Sequence, residues 1–369
     1  MKYIYLSLGL IFSNFTLFAQ FSQGLVLGAD FHYGAFLQHS SKQTFEVPNP
    51  STAISVELLR QTNGSKYWHK AHHFPRFGVG FMYKDYGNPA ILGQGYAIYP
   101  QLDVFHIRTK KFRLMSRIAF GFAYLNRPYD RFTNVANTAI GSHFNNYTML
   151  GLAAEFDISP DILLRIGGNI SHSSNGHFRT PNLGLNVACL QVGVHYRFAA
   201  DNIKDTLQTS HYQVSKKIRF GFRYGFALKE GNLPNGPFYQ IQVISPYLLF
   251  PRSGKRQWLA GFELSTNGEN IAWKKDNEKT GFYAPAKTTY LSVFGGHEVL
   301  WGKVGFMSQF HLYLNPPFQG RSFFFTRVGP TYHFQNPQRH PRFNAYMGLF
   351  LKAHYVIADY AEGTLGISF

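Results

Sequence analysis

The stretch Phe112-Arg113-Leu114-Met115-Ser116-Arg117-Ile118-Ala119-Phe120-Gly121-Phe122-Ala123-Tyr124 decides the fold. Successive side chains of an extended strand point to opposite faces. Read that way, Phe112, Leu114, Ile118, Phe120, Phe122 and Tyr124 share one face, against Arg113, Met115, Arg117, Gly121 and Ala123 on the other. An apolar face opposite arginines and small residues fits a wall with lipid outside and a polar lumen inside. A soluble sandwich would turn the same apolar face into its core, so this strand alone leaves both open.

The rest of the chain repeats the pattern. Segments of about ten residues with period-two patterning alternate with polar or Gly-, Pro- and Asn-rich turns. They begin at Leu25–Phe36 and continue through Ile162–Ser174 and Asn186–Phe198 to Tyr360–Phe369. Short connections such as Ser159–Asp161 alternate with longer ones such as Asn126–Asn146 and Asn267–Ala286. Outer-membrane barrels have this asymmetry, with short periplasmic turns and longer outer loops. The expectation is an all-β, antiparallel transmembrane barrel of about 16 strands (roughly 12 to 16). Residues 20–369 are read as one domain, in which 217–369 supply further strands that close the barrel begun by 20–198.

Composition agrees. Aromatic residues make up 17% and charged residues only 15%, while the 35 glycines suit turns and strands. No run after the first twenty residues is apolar for long enough to span a bilayer as a helix. Residues 1–19 read as a secretory signal peptide, with Lys2 ahead of an apolar-rich run. Cys189 is the only cysteine, so no disulfide within the chain is possible. The net charge of +17 is spread along the chain rather than clustered, which argues for anionic lipid or lipopolysaccharide phosphates over nucleic acid. Trp68, His69, His72 and His73 have no carboxylate or cysteine beside them, so an interfacial aromatic turn is expected there, and no metal or cofactor. At the other end Leu365, Ile367 and Phe369 alternate with Thr364, Gly366 and Ser368, similar to the C-terminal signature by which barrel-assembly machinery recognises its clients.

Candidate chemistry lies in Ile170-Ser171-His172-Ser173-Ser174-Asn175-Gly176 and Pro181-Asn182-Leu183-Gly184-Leu185-Asn186. His172 and Ser174 share the face of Ile162, Leu164, Ile166 and Ile170, while Asn186 shares that of Leu190, Val192 and Val194. Both are the faces turned to lipid. Two apart on a strand, His172 can take the Ser174 hydroxyl proton, and Asn186 can hold the imidazole through its other nitrogen. The Asn175-Gly176 turn offers an amide and backbone N–H groups to an oxyanion. Polar residues that merely cap a hairpin at the membrane interface would look the same.

These residues resemble the active-site segment of PagL-like lipid A 3-O-deacylases. The resemblance implies an outer-membrane barrel that removes an ester-linked acyl chain from lipid A in the outer leaflet, with His172 as base, Ser174 as nucleophile and Asn175 and Gly176 at the oxyanion. It matches the family's Pro-Asn-x-Gly run to Pro181, Asn182 and Gly184. Where the family has a glutamate this chain has Asn186, an amide that orients a histidine without stabilising its cation. The resemblance runs over roughly Leu25–Phe198, and the full length resembles the longer acyloxyacyl-hydrolase-type members. Two other readings stand beside it: a porin or surface-binding barrel without chemistry, and an outer-membrane phospholipase.

Overall fold

The computed structural model describes residues 23–199, 217–279, 288–315, 322–337, 342–355 and 357–369; the proposed signal segment 1–19 lies outside them. Eight strands, β1 (Leu25–Phe36), β2 (Ser51–Gln61), β3 (Arg76–Asp85), β4 (Gln94–Arg108), β5 (Phe112–Leu125), β6 (Phe144–Asp157), β7 (Ile162–Ser174) and β8 (Leu185–Arg197), form one closed barrel. Eight more, β9 (Arg219–Glu230), β10 (Phe238–Ser253), β11 (Arg256–Asn267), β12 (Thr289–Trp301), β13 (Val304–Tyr313), β14 (Phe324–His333), β15 (Asn344–His354) and β16 (Ile357–Ser368), form a second.

The total of sixteen antiparallel strands is the number expected; the closure is not. β1 pairs with β8, from Val26↔Arg197 to Phe36↔Val187, and β16 returns to β9, from Gly363↔Phe226 to Ser368↔Gly221. Residues 217–369 therefore close a barrel of their own instead of completing the first. The physical reason is that period-two patterning fixes which face of a strand meets lipid but not which strand it pairs with. Among the described residues two short helices sit in connections: α1 (Tyr67–Ala71), in the aromatic turn between β2 and β3, and α2 (Gly268–Lys279), in the long connection after β11.

The chain divides into two compact units. The first holds the described residues through Asn137, His143–Ser173 and those from Gly184 to the end of the first barrel. The second holds Thr138–Ser142, Ser174–Leu183 and the described residues from 217 onward.

Each barrel is inverted relative to a soluble one. Phe31, Ile54, Phe81, Ile98, Phe122, Leu150 and Ile166 stand exposed on the outside of the first, and Leu190 is 75% exposed. The interior is charged. Arg165, fully buried, donates to Glu57 at 2.7 Å, to Glu155 at 2.8 Å and to Asp30 at 3.3 Å. Arg76 grips Glu155 with both terminal nitrogens at 2.8 and 3.0 Å, and Arg117 pairs with Glu57 and, at 3.6 Å, with Asp103. Charges so buried require this pairing. Asp30, Glu57 and His195 come within 4.8 Å of one another, but Arg165 donates to both carboxylates. In the second barrel Arg223 bridges Glu263 (2.7 Å) and Glu362 (2.9 Å), and Arg327 bridges the same two carboxylates. Strand alternation turns Arg113, Arg117, Arg165, Arg197, Arg219, Arg223 and Arg327 inward, and all seven are buried. An apolar belt around a salt-linked interior is the arrangement that lipid demands.

Candidate functional site

Strand β7 runs Ile162, Ile166 and Ile170 along its outward face, and the same alternation continues through His172 to Ser174. His172 lies directly across from Asn186 on β8, so the sheet register itself brings the two together. The His172 Nδ1 is 2.6 Å from the Asn186 Oδ1, and the Asn186 Nδ2 is 2.8 Å from the Nδ1 of His39. An amide oxygen only accepts and an amide nitrogen only donates. His172 therefore carries its proton on Nδ1, leaving the Nε2 lone pair open, while His39 accepts at Nδ1.

His39 follows β1, and β1 reaches β8 because the first barrel closes on itself: the Leu37 N–H donates to the Asn186 carbonyl at 2.8 Å. The buried Gln43 ties this corner together. Its Oε1 accepts the His39 N–H at 3.1 Å, and its Nε2 donates to the Gly184 carbonyl at 3.1 Å. Gly184 has φ +85°, and a Cβ there would stand 2.6 Å from the His172 Cε1. The glycine makes room for the ring.

The remaining candidate residues fall in the second unit, which holds Ser174–Leu183. Ser174 ends β7 and is buried, 4% exposed. The Asn175 N–H donates to the Asn182 Oδ1 (2.9 Å), its Nδ2 to the Ser142 Oγ (2.8 Å), and its Oδ1 accepts the Arg179 N–H (3.2 Å). Asn175 thus acts as the knot of the loop, with its backbone N–H already engaged. Among the described residues the Gly176 N–H has no protein acceptor, and Gly176 takes φ +60° where a Cβ would meet that of Ala361 at 2.5 Å. Pro181 follows a cis peptide bond after Thr180.

Within this unit the loop is held from several sides. The fully buried Glu230 accepts the Thr180 N–H at 2.6 Å and the Arg179 guanidinium at 3.1 Å, and the Thr180 hydroxyl donates to the Gly231 carbonyl. The Ala361 N–H donates to the Gly176 carbonyl at 2.9 Å, and Phe178 packs on Phe238 with ring centroids 5.2 Å apart. Burial, and then the Lys229 ammonium, holds the His177 ring below the usual histidine range, so it is neutral at neutral pH.

Of the residues singled out from the sequence (His172, Ser174, Asn175, Gly176, Pro181, Asn182, Gly184 and Asn186), the structure joins five: His172 with Gly184 and Asn186, and Asn175 with Asn182. The sequence reading missed His39, Gln43, Ser142 and Glu230. None sits in a motif; each reaches its partner through tertiary contacts far apart in sequence.

Residues 53–197 match the family model described as Lipid A 3-O-deacylase (PagL). Among solved structures, the chain is similar to Neisserial surface protein A (NspA), at 15% identity over 47% of this chain and 97% of that one, with a TM-score of 0.31. It is also similar to the outer membrane enzyme PagL, at 14% identity over 45% of this chain and 97% of that one, TM-score 0.30. A BenF-like porin from Pseudomonas fluorescens Pf-5 aligns at 10% identity over 94% of this chain and 97% of that one, TM-score 0.23. No curated protein matches. With its lipid-facing exterior, this is a bacterial outer-membrane barrel protein. Over residues 53–197, most of the first barrel, the chain is PagL-like and matches the lipid A 3-O-deacylase family.

Proposed function

We propose that the chain is an outer-membrane serine esterase that removes an ester-linked acyl chain from lipid A. The observation that carries this reading is the His172–Asn186 hydrogen bond, within the matched segment and on the lipid-facing side of the wall. It leaves the His172 Nε2 as a base. In the proposed reaction the Ser174 Oγ attacks the ester carbonyl while His172 takes its proton. The oxyanion is received by the Gly176 N–H. The tetrahedral intermediate then collapses, His172 returns the proton to the departing sugar oxygen, and water hydrolyses the acyl-serine by the same relay. Asn186 fixes the tautomer of His172 but adds no negative charge. Asn175, Pro181 and Asn182 shape the loop around the scissile ester.

The test is to incubate the purified chain in detergent with lipid A and, separately, with phosphatidylethanolamine, and to follow released fatty acid by mass spectrometry. Acyl release from lipid A alone is expected. Release from phosphatidylethanolamine alone would make the protein a phospholipase instead. Release from neither, with no labelling of Ser174 by a fluorophosphonate, would favour a barrel that keeps the wall without the chemistry, the reading to which the Asn186 amide lends weight.

Gly184 offers a sharper check on geometry. Gly184→Ala is expected to lower the rate by about a hundredfold, the cost of moving a catalytic group by roughly 1 Å. Both the backbone at φ +85° and the Cβ against the His172 ring act in that direction. Steady-state kinetics should show the loss mainly in kcat. An unchanged kcat would remove His172 from the mechanism.

A further inference from the structure

Alternation along β9 turns Phe222, Tyr224, Phe226 and Leu228 outward, all of them exposed, and the next residue in that row is Glu230. A carboxylate in the lipid-facing row of a barrel strand is costly unless it is covered and paired. Glu230 is both. It is 0% exposed, and it accepts the Thr180 N–H at 2.6 Å and the Arg179 guanidinium at 3.1 Å. That guanidinium also lies 4.7 Å from the centre of the Phe238 ring. Thr180 and Arg179 both belong to the loop that follows Ser174. The backbone repeats the arrangement. β9 and β16 pair from Ser368↔Gly221 to Gly363↔Phe226, and Glu230 and Ala361 lie past that end. Each gives its N–H to the loop, Glu230 to the Phe178 carbonyl at 3.3 Å and Ala361 to the Gly176 carbonyl at 2.9 Å. A Cβ on Gly176 would stand 2.5 Å from that of Ala361, so the loop backbone rests against the outward row of β16. From Arg179 the fixation passes on: its N–H donates to the Asn175 Oδ1 at 3.2 Å, and Asn175 adjoins the Gly176 N–H.

We propose that Glu230 is a positioning residue for the acyl transfer, and that the ends of β9 and β16 are the template on which the oxyanion-binding loop is held. This rests on the esterase reading and extends it. Residues 217–369 lie outside the segment that matches the deacylase family, yet they supply the carboxylate and the two backbone donors that fix the loop. A carboxylate suits the task because it accepts from a backbone amide and a guanidinium at once, through charge-assisted bonds that are stronger than neutral ones. Glu230 touches no reacting atom. It acts through Thr180, Arg179 and Asn175 on the placement of the Gly176 N–H.

The test is steady-state release of fatty acid from lipid A in detergent by the full chain and its variants, each checked for barrel formation by heat-modifiable migration on gels. Glu230→Ala is expected to lower kcat by about a hundredfold, the cost of misplacing a catalytic group by roughly 1 Å. KM should change by less than about threefold, because an oxyanion donor acts on the transition state rather than on bound substrate. Glu230→Gln keeps an acceptor for the Thr180 N–H and should stay within about tenfold of the parent. Glu298→Gln, at a carboxylate equally buried in the second barrel but near the β12–β13 turn, should leave kcat unchanged. If Glu230→Ala does not form its barrels, Arg179→Ala takes its place; that side chain is 38% exposed, and its loss should lower kcat about tenfold. The proposal is overturned if the folded variant keeps the parent's kcat, if the loss falls in KM instead, or if Glu298→Gln loses as much. A parent that releases no acyl chain is a different outcome, which ends the esterase reading and this extension with it.

Discussion

Ser174→Ala is expected to cut acyl release from lipid A by at least about a thousandfold, the scale on which removal of a serine nucleophile acts. Ser174 is buried at the end of β7, on the face shared with His172. The companion variant His172→Gln should lose activity on a similar scale, because without the imidazole the serine keeps its proton. The double variant should be no worse than the worse single one, since a nucleophile and its base act as a unit. Single-turnover measurement of fatty-acid release on folded protein provides the readout. Independent, additive losses would mean that the two residues serve separate roles, and full activity of Ser174→Ala would end the serine-esterase reading.

The second large effect is on stability. Arg165→Met is expected to destabilise the first barrel by more than about 3 to 5 kcal/mol, the cost of breaking a buried pair by removing one partner. Arg165 touches Asp30, Glu57, Asp103 and Glu155, all fully buried, so its loss strands several carboxylates at once. Arg76 and Arg117 remain to cover Glu155, Glu57 and Asp103, whereas among the described residues Asp30 keeps one direct side-chain ion-pair partner, His195, at 3.1 Å. Arg113 provides the contrast. It pairs with Asp157 at the barrel's end, where that carboxylate is partly exposed, and Arg113→Met should cost much less. Urea unfolding in lipid vesicles, followed by gel migration, compares the two. Equal midpoints for parent and Arg165→Met would show that protonation or water compensates for the missing guanidinium.

What was legible in the sequence is what strand alternation encodes. Ile162–Ser174 appears as β7 with those bounds, and Arg117 and Arg165 face inward as the pattern required. Strand partners are not encoded in that way. The pairing of β1 with β8 brings His39 and Gln43 to Asn186 and Gly184, and nothing near His39 announces a partner almost 150 residues away. Helix α2 gives no periodic signal, because its residues, among them Glu269, Lys274 and Lys275, show no apolar stripe. Its start did carry a signal: the Asn267 side chain accepts the Glu269 N–H at 2.9 Å, as an N-cap does. Glu230 was invisible for a different reason. A single glutamate at the end of a strand is ordinary until Thr180 and Arg179 are seen to bind it.

The closure of the strands in two rings of eight has an electrical consequence. An eight-stranded ring is just wide enough for its own side chains to fill. Here arginine–carboxylate pairs occupy that space in both rings, at Arg165 with Glu57 and Glu155 and at Arg223 and Arg327 with Glu263 and Glu362. Sixteen strands in a single ring would have enclosed an aqueous channel; divided between two rings, they enclose paired charge instead. A planar bilayer containing this protein should therefore remain an insulator.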